Sequence, residues 1–129
     1  VRYLLDTHIV LGVLSQSERD LPDWIYDCLT GPGAVSIVSA TSLWEIAIKA
    51  RSGKLSLTLD RASLDNAIGA FGIEIIPITP QHVLTDVTVV PPTRDPFDLL
   101  LLAVAQVEGL RLITLDRALA GHPLAWRQS

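Results

Sequence analysis

One cysteine, Cys28, and no methionine occur among the 129 residues. A lone thiol cannot close an intramolecular disulfide, which excludes a disulfide-stapled scaffold and leads us to expect a reducing compartment, the cytoplasm. Cys28 itself reads as a small core residue. The longest strongly apolar run, Leu99 to Val107 with Gln106 inside it, falls far short of the ~20 residues needed to cross a bilayer. The first residues do not pair a charged segment with a signal-type apolar stretch, so no targeting segment is expected. Low-complexity tracts and long charge runs are missing too, which excludes a disordered chain. Nor is there an excess of positive charge: the formal net charge is −4, which argues against binding nucleic acid through broad electrostatics.

What is present is a hydrophobic content of 49% against 19% charged residues, enough for one buried core and a single domain spanning residues 1–129. RYLLD reads as a strand ending in Asp6, and IVLGVL continues as a helix. LPDWIYDCLT reads as a second helix, with Pro22 near its start and Gly31-Pro32-Gly33 ending it; AVSIVS is a β-branched strand. SATSLWEIAIKARSGK is a helix capped by Ser39 or Thr41 and stopped at Gly53. A helix over roughly Asp60 to Ala70, a strand in GIEIIPIT, a helix restarting at Thr79-Pro80 and broken by VVPPT, a helix from Pro96 to Gly109 and a strand in RLITLD follow. PLAW is a candidate final strand. Strands alternating with helices predict an α/β fold with a mostly parallel central sheet and helices on both faces.

In such sheets, sites form beyond the carboxyl ends of the strands. Asp6 closes the first strand and Asp116 the last; Glu45 lies about two turns into the helix after the second strand. TRDPFDLLLLAVA (Thr93–Ala105) places Asp95 and Asp98 around Pro-Phe at the start of the long helix. Each acid also has a local reading: Asp95 as N-cap with Pro96 at the first helical position, Asp6 and Asp116 as caps, and Glu45 in a box with Ser42 or paired with Lys49. Four segments aiming carboxylates at one edge nevertheless describe a single acidic site better than four separate caps. Like charges so gathered need a cation. With oxygen donors and no Cys or His cluster, that cation is Mg²⁺ or Mn²⁺ rather than Zn²⁺. His8 is the only histidine placed to help, as a loop or cap residue; His82 and His122 read as surface groups.

LLDTH, SLWEIAIKARSGKL, RDPFD with the helix after it, and ITLD together resemble the PIN-domain ribonucleases, in particular the VapC-type toxins of toxin–antitoxin modules, from Tyr3 to about Trp126. The resemblance implies that Asp6, Glu45, Asp98 and Asp116 are both the catalytic and the metal-holding quartet, with Asp98 the ligand and Asp95 the helix cap. It also implies an Mg²⁺-dependent (or Mn²⁺-dependent) endoribonuclease that uses metal-activated water, with 5′-phosphate and 3′-hydroxyl products, a homodimer, an RNA substrate and a cognate antitoxin that covers the site. Many relatives carry Arg directly after DPFD, where this sequence has Leu99; Arg94, Lys49 or Arg51 can substitute. Setting aside the four acids and Asp95 moves the net charge from −4 to +1, so the remaining surface does not repel RNA. Lys49, Arg51 and Lys54 either flank an RNA path or form a solvated helix end. Two other readings compete. A haloacid-dehalogenase-like phosphatase needs a second acid two residues after Asp6, which LLDTH lacks; a catalytically inactive PIN-like domain would bind RNA or a partner without cleaving.

Overall fold

The structure, a computed structural model, describes residues 1–15, 21–57 and 60–127. Strands β1 (Arg2–Leu5), β2 (Val35–Ser39), β3 (Glu74–Ile76) and β4 (Arg111–Ile113) form one sheet in the order β3-β2-β1-β4. Every neighbouring pair is parallel, with Leu4 opposite Ile37 on one side and Leu112 on the other. The parallel arrangement follows from the connections, since each strand returns through helical crossovers. The helices among the described residues are α1 (Thr7–Ser15), α2 (Asp23–Thr30), α3 (Ala40–Arg51), α4 (Leu64–Ala70), α5 (Pro80–Leu84), α6 (Pro96–Glu108) and α7 (Arg117–Ala120).

Strand residues alternate between two apolar layers, as the two-residue period of a strand requires. Tyr3, Leu5, Val38 and Ile113 face the layer that holds Ile9 and Val10 of α1, Ile25 of α2, Ile46 of α3 and Ile68 of α4. Leu4, Ile37 and Leu112 face the opposite layer, filled by Leu101, Leu102, Val104 and Ala105 of α6 with Leu119 of α7. Both faces are thus covered by helices, as predicted, which explains why consecutive residues such as Leu4 and Leu5, or Ile37 and Val38, are apolar and buried. Cys28 is half-buried and packs against the first layer.

Local chemistry sets the helix ends. Ser39, not Thr41, caps α3, its Oγ accepting from Thr41 N at 3.0 Å. Thr79 and His82 form a reciprocal capping box on α5. Asp95 caps α6 by accepting from Phe97 N at 2.8 Å, Pro96 takes the first helical position, and Gly109 closes the helix at φ 68°.

Several boundaries differ from the sequence reading. The predicted helix from Asp60 begins as a single 3₁₀ turn, Arg61–Ser63, and becomes α-helical only at Leu64. GIEIIPIT and RLITLD pair only over Glu74–Ile76 and Arg111–Ile113. Helix α5 ends at Leu84, before VVPPT is reached. PLAW contributes one parallel bridge, Ala125 beside Leu112. His82 and His122 are not surface groups: they are 1% and 5% exposed. Each is buried because both ring nitrogens find partners, His82 with Thr79 N and Glu108 and His122 with Leu124 N and the Val89 carbonyl.

Candidate active site

The carboxyl ends of the parallel strands place the acids. Asp6 immediately follows β1, and its backbone N–H donates to the Ile113 carbonyl at 3.0 Å, so the chain leaves the sheet at a fixed point. Asp6 is 4% exposed. Its Oδ1 accepts from Thr7 N at 2.7 Å and its Oδ2 from the Thr114 hydroxyl at 2.6 Å. Glu45, on the buried face of α3, accepts from the Thr7 hydroxyl at 2.6 Å and from Lys49 Nζ at 2.7 Å. Thr7 has one hydroxyl proton, so donating it to Glu45 leaves Ser42, 3.0 Å away, to donate to Thr7. Ser42 therefore lies inside α3 and braces Thr7 instead of boxing Glu45.

Asp98 is the third residue of α6 and accepts from the Thr93 hydroxyl at 3.2 Å. Asp116 lies three residues beyond β4, where it caps α7 by accepting from Ala118 N at 2.9 Å. The capping readings of Asp95 and Asp116 and the pairing of Glu45 with Lys49 thus hold together with the convergence of the acids. Asp6, Glu45, Asp95, Asp98 and Asp116 line one pocket of about 310 Å³, with Lys49 and Lys54 on its wall. Among the described residues, no three acid, His or Cys side chains stand close enough to share one ion as placed. The acids therefore share a pocket and do not form a closed coordination shell.

Electrostatics register the crowding. Burial, followed by the charge of Asp95, pushes Asp98 up to about 6, with Asp6 and Asp116 adding to the rise against the Thr93 hydrogen bond. Asp6 is also raised, chiefly by burial, with Glu45 adding; its bonds from Thr114 and Thr7 and the nearby His8 oppose the rise. Lys49 is held above its ordinary value, first by its hydrogen bond to Glu45 and further by the charges of Glu45, Asp95 and Asp6, against desolvation. In donor type and in their excess of carboxylates over lysines, the residues fit a hard divalent cation.

His8 lies on α1, not in a loop. Its Nε2 accepts from Leu115 N at 3.0 Å, which leaves the proton on Nδ1, 3.5 Å from Asp6 Oδ2. Of the predicted flanking cations, Lys49 and Lys54 reach the pocket wall, whereas the Arg51 guanidinium lies 5.5 Å from the centroid of the Trp44 ring. Sequence reasoning missed the hydroxyls of Thr7, Thr93 and Thr114, and gave Ser42 to Glu45 rather than to Thr7. The one available signal was adjacency: Thr7 follows Asp6, and Thr114 precedes Asp116 by two residues.

An all-parallel α/β sheet with an acidic pocket beyond its strand ends defines the class. The sequence matches the PIN domain family over residues 3–122, and the chain belongs to that family. Among solved structures it is similar to VapBC2 from Rickettsia felis, bound to a DNA fragment from their promoter, with 17% identity, a TM-score of 0.61, and 97% of this chain and 96% of that one covered. It is also similar to a toxin–antitoxin complex from Klebsiella pneumoniae, with 21% identity, the same TM-score of 0.61 and the same coverage. At these identities the likeness concerns the fold. No curated protein matches the chain.

Proposed function

We propose that this chain is an endoribonuclease toxin of a toxin–antitoxin module, dependent on Mg²⁺ or Mn²⁺, that hydrolyses RNA phosphodiester bonds in the cytoplasm. The observation that carries the reading is the arrival of Asp6, Glu45, Asp98 and Asp116, from four separate segments, on the wall of one pocket. These four are the residues that would hold the ion. When bound, a divalent cation supplies positive charge to the phosphodiester and lowers the pKa of water. The chain's own part is orientation. Thr7 and Thr114 fix both Asp6 oxygens, Thr7 also fixes Glu45, and Thr93 fixes Asp98. Asp95 stays with the helix as its cap. The likeness to the two toxin–antitoxin structures supports an antitoxin partner, and the pocket's negative charge suits an inserted Arg or Lys from it. A homodimer completes the reading.

A second reading, an inactive domain that binds RNA or a partner, draws on the open spacing of the acids. Purified protein on structured RNA, with Mn²⁺ and with EDTA, separates the two. Cleavage that EDTA abolishes and that Asp98→Asn nearly abolishes, while Asp95→Asn largely retains it, supports the nuclease. Cleavage lost in Asp95→Asn and kept in Asp98→Asn would redraw the site around Asp95. Binding without cleavage in either condition, and a melting temperature indifferent to millimolar Mn²⁺, favours the inactive domain.

A further inference from the structure

The wall of the acid pocket carries a cation of its own. Lys49 stands one helical turn after Glu45 on α3, and its Nζ lies 2.7 Å from Glu45 Oε2, the carboxylate oxygen that Thr7 does not hold. The Glu45 side chain is 10% exposed whereas that of Lys49 is 47% exposed, so the ammonium sits at the mouth and reaches inward. An ordinary helix-surface pair of this spacing lies wholly in water and contributes little. Here the acid partner is buried, in a pocket that also holds Asp6, Asp98 and Asp116, so the pair neutralises a carboxylate that water reaches poorly.

We infer that Lys49 is the pocket's built-in counter-cation: it compensates Glu45 in the metal-free chain, and a divalent ion gains the Glu45 carboxylate by displacing it. The inference rests on the metal-dependent reading above and adds to it a competition between two cations for one carboxylate. A half-exposed lysine can leave at little expense, because its head group returns to water while its stem stays along the helix. Lys49 is thus a positioning residue that sets how tightly the pocket takes metal.

Calorimetric titration of Mn²⁺ into the wild-type, Lys49→Gln and Lys49→Arg chains, without RNA, tests the inference. Removing the competitor should tighten Mn²⁺ binding several-fold in Lys49→Gln, whereas Lys49→Arg, which keeps a cation at the same turn, should stay near wild type. Thermal melts of the same proteins keep the test valid if Lys49→Gln is unstable without metal, since its Mn²⁺-induced rise in Tm should then exceed that of wild type. Equal affinities and equal rises in wild type and Lys49→Gln would show a purely structural helix pair and overturn the inference while sparing the metal site. Mn²⁺ binding weakened by Lys49→Gln overturns it as well. No Mn²⁺ binding to any of the three chains overturns the metal reading and this inference together.

Discussion

Asp98 sits where two demands meet, because it is both an early residue of a helix and a charge among charges. Its ordinary value of 3.8 is pushed up to about 6 by burial and by Asp95. A carboxyl that holds its proton more tightly when folded lends stability below 3.8, and that contribution is lost as the pH rises through about 6. The burial of Asp6 acts in the same direction. The metal-free protein should therefore lose part of its stability between about pH 4 and 6, and Asp98→Asn should flatten that fall. At pH 7.5 the variant should be the more stable without metal, by roughly 0.5–2 kcal/mol once screening of this half-exposed group is allowed for. Melts across the pH range check both points. A lower Tm for Asp98→Asn at pH 7.5 would mean that the helix dipole and the Thr93 hydrogen bond outweigh repulsion. The capping role of Asp95 was legible because Pro96 marks the first helical turn. The hydroxyl network was not: Thr7 meets Glu45 across 38 residues and Thr114 meets Asp6 across 108, and no local pattern encodes such contacts.

Helix α6 shows how far local signals reach at the scale of an element. Its start, its end and its apolar length could all be read from Asp95, Pro96, the run from Leu99 and Gly109. Gly109 adopts φ 68° and a Cβ there would meet no atom within 4 Å, so the glycine is needed for its backbone alone. Gly109→Ala should lower stability by about 1 kcal/mol, and Gly109→Asn by less, because Asn tolerates the left-handed region. Chemical denaturation of the two variants decides this; an alanine variant as stable as wild type would contradict it. The strands were less legible at their ends. RLITLD reads as a strand of six residues, yet β4 pairs with β1 only through Ile113, because the chain beyond it turns to bring Thr114 to Asp6 and Asp116 to α7. The buried histidines were misread for a related reason. Polarity alone suggests a surface position, and only tertiary structure supplies the backbone groups and the carboxylate that satisfy both ring nitrogens.

Across the whole molecule, the acid pocket lies at one end of the sheet while the C-terminal segment closes its β4 side. Leu112 N donates to the Leu124 carbonyl at 2.9 Å and Trp126 N to the Leu112 carbonyl at 2.8 Å, giving an otherwise open edge strand a partial partner. Trp126 then stacks on Trp24 of α2, with ring centroids 5.2 Å apart and planes 13° from parallel. His122 bonds the Val89 carbonyl, so the same segment also braces the connection that leads into α6. None of these groups lines the acid pocket, which makes stability and site chemistry separable by mutation. Trp126→Ala removes an aromatic stack and part of the apolar layer that Trp126 packs against, and should cost about 2–4 kcal/mol. The variant should nonetheless gain as much Tm from saturating Mn²⁺ as the wild type does, because the carboxylates and their threonine partners are untouched. Denaturation with and without Mn²⁺ measures both quantities on one sample. A Trp126→Ala protein that loses its response to Mn²⁺ while still folded would show that the C-terminal closure reaches the site through Val89 and α6, and that the β4 edge and the acid pocket are coupled.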